Sequence, residues 1–514
     1  MKNLNTNFLQ KLFVLCIVSM VASSGIHAQE VVTVEPGSNL SDIILGDSLA
    51  NGTYEPKIYE LNGFGLYEVT KTLDVGTKLH IRGKVADGEN LPQVRTALAG
   101  EGYPNLINNA GDITLENIYI SNKEGSDFRQ PNWGGIRINA ENSKFVVENC
   151  VIEWDKAAAI MIRKPGCSVF INNSIVSKTG DWKAFNGNGR LIDCREFAVD
   201  SIVVTNTTMY QLTDRIIRSM GGDHEINYFK FDHNTAFNIQ GFHGVFQLGY
   251  IHEAVITNNL FQDVLWMGNH PNTAEQNTPA PDNEDLYFVT VDTVPEDLKL
   301  TISHNIVGFS DKITTMWAGL DSVSQPEFLS PTVAEFLGDD ASEAYTMELV
   351  EFANVPSLPE DYVDSLYLGV AIGLEVFPDN FATDVNFNAV DASYNTNSIA
   401  FAGDMNDEPV GSHQWIDNFT VGIEDLALRN KLGFGVYPNP MKNLATITFE
   451  LKKQSMVNIY LIDITGKKVR NIMNEQKAAG KHNIEVSSAN INPGVYFLSL
   501  SNDNQRYVQK LIIK

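Results

Sequence analysis

From about residue 60 to residue 310 the chain alternates apolar and polar positions in short bursts, and each burst ends near an asparagine. The bursts are "TLENIYI" (114–120), "VVENCVI" (146–152), "FINNSIV" (170–176), "VVTNTTM" (203–209), "KFDHNTAF" (230–237), "VITNNLF" (255–261) and "TISHNIV" (301–307). A period of two places alternate side chains on one face, the pattern of a half-buried strand. Aligned on the phrase, Asn117, Asn149, Asn173, Asn206, Asn234, Asn259 and Asn305 share one position, at gaps of 32, 24, 33, 28, 25 and 46 residues. Each unit has an apolar face that it cannot bury alone, so the units must stack.

A constant strand with loops of varying length predicts an all-β chain built as a right-handed parallel β-helix, a single-stranded solenoid. Asn suits its corners, because it tolerates left-handed backbone angles and its amide can bond to the next rung. The seven are expected to form one internal ladder. His233 and His304 precede the aligned Asn, as do Glu116, Glu148, Asn172 and Asn258, which predicts a surface column of varied polar residues.

The remaining organisation follows from breaks in this pattern. Residues 1–28 combine Lys2 and Lys11 with an apolar run from Leu12 to Ala22 and a small residue at Ala28, and read as a secretory signal peptide. No later stretch reaches the length of a transmembrane helix. The β-helix is expected over 29–310, with "HPNTAEQNTPAPDNEDLYF" (270–288) as a long loop. Residues 311–428 lack most of the phrase and are expected to continue or cap the solenoid, with a short helix near 331–337. Residues 429–514 show strands at 445–451, 456–463, 482–486, 494–501 and 506–513, a small β-sandwich tail domain.

The Asn-bearing rungs resemble those of the pectin-lyase-like β-helix superfamily over roughly residues 60–310. That resemblance implies polysaccharide as the substrate class, and it covers lyases, hydrolases and non-catalytic adhesins. "YNTNSIAFAGDMNDEPVGSHQW" (394–415), with Pro409, Gly411 and Trp415, is similar to the ending of secreted Bacteroidetes β-helix proteins. The tail, with "YPNP" at 437–440, "DITGKKV" at 463–469, "NPGVYFLSL" at 492–500 and a closing "KLIIK", resembles the C-terminal sorting domain of the type IX secretion system. This implies that machinery as a partner and a secreted or outer-surface location.

The net charge of −26 is uneven. Residues 30–269 carry 20 Lys and Arg against 29 Asp and Glu, residues 270–428 carry 2 against 29, and residues 429–514 carry 13 against 5. With no basic footprint on the central regions, nucleic acid is not an expected partner. The acidic region reads as a solubility feature or a calcium binder. Three mature cysteines, Cys150, Cys167 and Cys194, are too few for a disulfide framework and are expected to be buried thiols. A monomer is expected.

The candidate chemistry lies on the strands that follow each Asn phrase. Arg137, Arg163, Arg190, Arg195, Arg215 and Arg218 fall on or beside them. A strip of guanidiniums would bind a uronate or sulfated chain through bidentate contacts, so an anionic polysaccharide is the expected partner. The leading expectation is a polysaccharide lyase acting by β-elimination, which must neutralise the substrate carboxylate and supply a base. By resemblance to pectate-lyase-like β-helices a cation does the first and an Arg or Lys the second. Arg163, Arg218 and Lys183 are the catalytic candidates, with Asp193 and Asp223 as ligands for a Ca2+ ion. His224, His243, Trp133, Trp182 and Trp266 are candidate sugar contacts. The alternatives are a carbohydrate-binding or adhesion protein without turnover, and a glycoside hydrolase, for which the rungs show no adjacent Asp pair.

Overall fold

The computed structural model describes residues 29–49, 55–86, 90–97, 104–122, 134–180, 188–220, 224–241, 243–269, 286–319, 324–356, 390–404, 408–418, 435–437, 441–451, 453–463, 468–489, 491–502 and 505–513. Among them the alternating segments form three parallel sheets. Sheet A has ten strands, from Val31–Val34 to Lys299–Ser303. Sheet B has ten, from Leu66–Val69 to Tyr345–Met347, and sheet C has eight, from Ile107–Asn109 to Glu327–Leu329. The chain visits A, B and C in turn and pairs each strand with its counterpart one coil later, as in Cys167–Asn172, Ile175–Thr179 and Arg190–Arg195. This is a parallel β-helix.

Its coils are held by apolar columns that the register lines up. Val147, Ile171, Val204, Phe231, Ile256 and Ile302 stack on successive rungs of sheet A, all essentially buried. Ile136, Ile160, Ile192, Ile217, Phe246 and Val289 do the same on sheet C. Each such side chain contributes about 1.5–3 kcal/mol by leaving water. The B-to-C connections absorb the length variation, from 154–157 to 265–286, whereas the A-to-B corners stay short. The uneven gaps in the sequence come mainly from that side.

The Asn phrase proves to be two columns. The register puts Asn149, Asn173, Asn206, His233, Asn258 and His304 opposite one another. All six, with Asn117, take positive φ between 47° and 59°. Asn234, Asn259 and Asn305 sit one residue later, opposite Cys150, Ser174 and Thr207, and are fully buried. The internal ladder is therefore Asn234–Asn259–Asn305, with Nδ2 to Oδ1 bonds of 3.1 and 2.9 Å. His233 and His304 occupy the left-handed corner itself, together with Asn258, and not the position of Glu148 and Asn172. The single-ladder expectation fails because two adjacent Asn positions look alike in an alternating pattern.

The helix Leu40–Leu49 packs Leu40 and Ile44 onto the first coils. At the other end Pro331–Leu337 is the expected short helix, started by Pro331 and capped by Ser330, whose Oγ accepts from the Val333 N–H. The acidic region then returns along sheet B. Gly411 N donates to Asn258 O, Ser412 Oγ to Asn206 O, and Trp415 Nε1 to Thr208 Oγ1 at 2.6 Å. Trp415 and Ala392 pack on Tyr119, Val151, Ile175, Tyr210 and Phe237, the outward apolar residues of sheet B. This explains why those strands are apolar on both faces.

The tail folds into a three-stranded and a four-stranded antiparallel sheet enclosing Ile447, Phe449, Ile459, Leu461, Leu498, Leu500 and Leu511. The strand Lys468–Lys477, missed in the sequence, has one buried residue, Met473, and so little alternation to read. Cys150, Cys167 and Cys194 are buried free thiols. No helix among the described residues is long and apolar enough to cross a membrane.

Candidate functional site

Sheet C presents one outward column, Asn108, Arg137, Met161, Asp193, Arg218, Gln247 and Thr290. Arg163 follows the strand Ala158–Ile162, and Arg195 ends the strand Arg190–Arg195. Arg137, Arg163, Arg195 and Arg218 are half-buried on this face, and no carboxylate pairs with any of them among the described residues. Arg163 and Arg218 instead rest their Nη2 groups against the sulfurs of Met161 and Met220. Burial, then Arg163, lowers the proton affinity of Arg137. Burial, then the nearby Arg190, pushes Arg218 down to about 10.

Arg190 and Arg215 behave differently, being buried in an ionic cluster beneath that face. Arg190 Nη1 lies 3.3 Å from Asp193 Oδ2, and its Nε 2.9 Å from Asp214 Oδ2. Arg215 Nε lies 3.1 Å from Asp214 Oδ1, and its Nη1 donates to Gln247 Oε1. His243 Nδ1 reaches Asp214 Oδ1 at 2.9 Å. Burial alone would raise the fully buried Asp214 carboxyl, but Arg215, His243 and Arg190 hold it well below the carboxylate range. Burial lowers His243 below the ordinary imidazole value, against the pull of Asp214. Asp214 is thus ionised and acceptor-only, so the proton on Nδ1 belongs to the imidazole.

The other predicted residues divide as follows. Trp266 is 1% exposed, packed in the core, with Trp317 Nε1 donating to its carbonyl, so its ring has no face for a sugar. His224 precedes the sheet A strand Glu225–Asp232. Trp133, Trp182, Lys183 and Asp223 lie outside the described residues. Asp193, the described half of the suggested calcium pair, is committed to Arg190. Among the described residues no group of three or more His, Cys, Asp or Glu side chains could hold a metal ion. Among the described residues the groups beside Asp193 are the guanidiniums of Arg190 and Arg218, which compete with a cation for that carboxylate.

One cluster was not legible in the sequence. Glu153 accepts from Lys178 Nζ at 2.8 Å, Ser177 Oγ at 2.7 Å and Tyr119 OH at 2.9 Å, all buried on sheet B. Trp154, Lys178, Gln211, Asn238 and Asp263 form a second column of positive φ at the B-to-C corner. Nothing in the alternation marks them, since only Asn238 and Asp263 are residue types that favour that conformation.

Residues 435–514 match the family described as secretion system C-terminal sorting domain. No curated protein matches the chain. Among solved structures it is similar to the tailspike protein gp49 of Acinetobacter baumannii bacteriophage Fri1, a capsular polysaccharide depolymerase. The identity is 8% and the TM-score 0.20, over 95% of this chain and 80% of that one. The parallel β-helix ends in a type IX secretion sorting domain, which marks the protein as secreted or displayed at the cell surface.

Proposed function

We propose that sheet C is the binding face for an anionic polysaccharide and that the reaction there is β-elimination. The observation that carries this reading is four half-buried guanidiniums that have no carboxylate partner among the described residues, on one face of a protein of net charge −26. Arg137 and Arg218 lie three rungs apart in one column, roughly 14 Å at about 4.8 Å per rung. An extended chain lying along the helix axis would meet them in succession. Guanidiniums bind planar carboxylates and sulfates through paired N–H groups, and they stabilise the charge that builds on a uronate carboxylate as its neighbouring C–H proton is lost. Hydrolysis is less well supported, because Asp193 is paired with Arg190, and Asp214, held ionised by Arg215, His243 and Arg190, cannot serve as a protonated acid.

The test incubates the secreted chain with pectate, alginate, ulvan and chondroitin sulfate, with and without calcium, and follows ultraviolet absorbance of unsaturated uronate. A rise on one polymer that is lost in Arg218→Ala supports the lyase. A flat trace with binding that weakens in Arg137→Ala and Arg163→Ala supports a binding protein. No binding to any of the four refutes the reading.

A further inference from the structure

We infer that His243, oriented by the buried Asp214, takes the ring proton in this elimination, an assignment that rests on the reading of sheet C as a lyase face. A base here must be mostly unprotonated near neutral pH and held at a fixed angle. Arg218, even at about 10, is deprotonated in only about one molecule in a thousand at pH 7. The imidazole, lowered by burial, is neutral there.

Asp214 is fully buried, whereas the His243 side chain is 26% exposed, so the imidazole is the end of the pair that reaches solvent. Nδ1–H donates to Asp214 Oδ1, which leaves Nε2 as the basic nitrogen. The same oxygen accepts from Arg215 Nε, and Oδ2 faces Arg190 Nε, so the carboxylate cannot swing away. Gly241 and Gly244, at φ 71° and 94°, form the turn that carries the histidine, and a Cβ on Gly241 would run into Leu265. His243 lies shortly before the strand Phe246–Gln247, in which Gln247 is the rung partner of Arg218. The base and the guanidinium therefore belong to adjacent coils. Among the described residues the charged groups around the imidazole are Asp214, Arg215 and Arg190, with Asp193 behind Arg190 and Arg218 on the outward column.

In the step, the proton on the ring carbon bearing the carboxylate moves to Nε2. The C–H electron pair becomes the new C=C bond to the adjacent ring carbon, and the glycosidic C–O bond at that carbon breaks with its pair on oxygen. The imidazolium then protonates the leaving oxygen, which restores the neutral base. No cofactor or redox partner is needed.

The experiment measures unsaturated uronate formation by the full chain across pH 5–9 for wild type, His243→Gln and His243→Ala, the last with and without added imidazole. Gln keeps a donor toward Asp214, and circular dichroism checks the fold of each variant. A loss in kcat of about 100-fold or more with KM little changed is expected in both. Imidazole should partly restore His243→Ala. Wild-type turnover in folded His243→Gln overturns the assignment and leaves the lyase reading standing. Absence of product from wild type on all four polymers overturns both.

Discussion

The separation of the Asn phrase into two columns predicts unequal costs for two substitutions that look equivalent in the sequence. Asn259 is fully buried, and its side chain makes four hydrogen bonds. Oδ1 accepts from the backbone and side chain of Asn234, and Nδ2 donates to Phe231 O and Asn305 Oδ1. At about 1 kcal/mol for each bond, Asn259→Ala loses about 4 kcal/mol, and orphaned donors on Asn234 deepen the loss. Asn149, at φ 52°, is half-buried, and its side chain makes two bonds, to Asn117 and from Asn173. Water can replace both partners, and Gly keeps the left-handed angle, so Asn149→Gly is expected to cost about 1 kcal/mol. Equilibrium guanidinium unfolding followed by tryptophan fluorescence reads both. Equal costs, or a larger one for Asn149→Gly, would refute the assignment of the load to the inner column.

Two further outcomes follow from the fold. Burial raises the Asp155 carboxyl to about 8, against the pull of Asn122, whereas in the unfolded chain it titrates near about 3.9. The protonated form is favoured by the fold, so this group's contribution is complete below about pH 4 and is lost as pH rises toward 8. Asp155→Asn should therefore raise the melting temperature at pH 8 and change it little at pH 4; a gain independent of pH would contradict this. Trp415→Ala removes a buried ring and its bond to Thr208 Oγ1, about 3–5 kcal/mol of docking. Limited proteolysis should then cut within 390–418 while the coils resist, and unchanged resistance of that segment would count against the docking role.

Resemblance and residue chemistry together reached the candidate face but not its working parts. All six arginines were legible as a set, because each lies on or beside the third strand of a coil. That Arg190 and Arg215 are paired with carboxylates, while Arg137, Arg163, Arg195 and Arg218 have none among the described residues, depends on where Asp193 and Asp214 fall in neighbouring coils. Trp266 was expected at the groove because it lies in "LWMGNH" (265–270), read as a groove-lining strand, yet residues 265–267 form a turn that places it in the core against Trp317. The Glu153–Lys178 pair spans 25 residues, and no local pattern links its members.

The sequence alone determined the coil, because a period-two apolar face that recurs without helical periodicity can be buried only by stacking, and it determined the sorting tail through motifs along its length. The tertiary structure decided the register. A period of two fixes which face a residue takes but not which of two adjacent Asn turns the corner; that is settled by pairing with the rung above. It also decided which side chains meet, since Asp214 and His243 are 29 residues apart and come together only because one turn of the solenoid lies on the next.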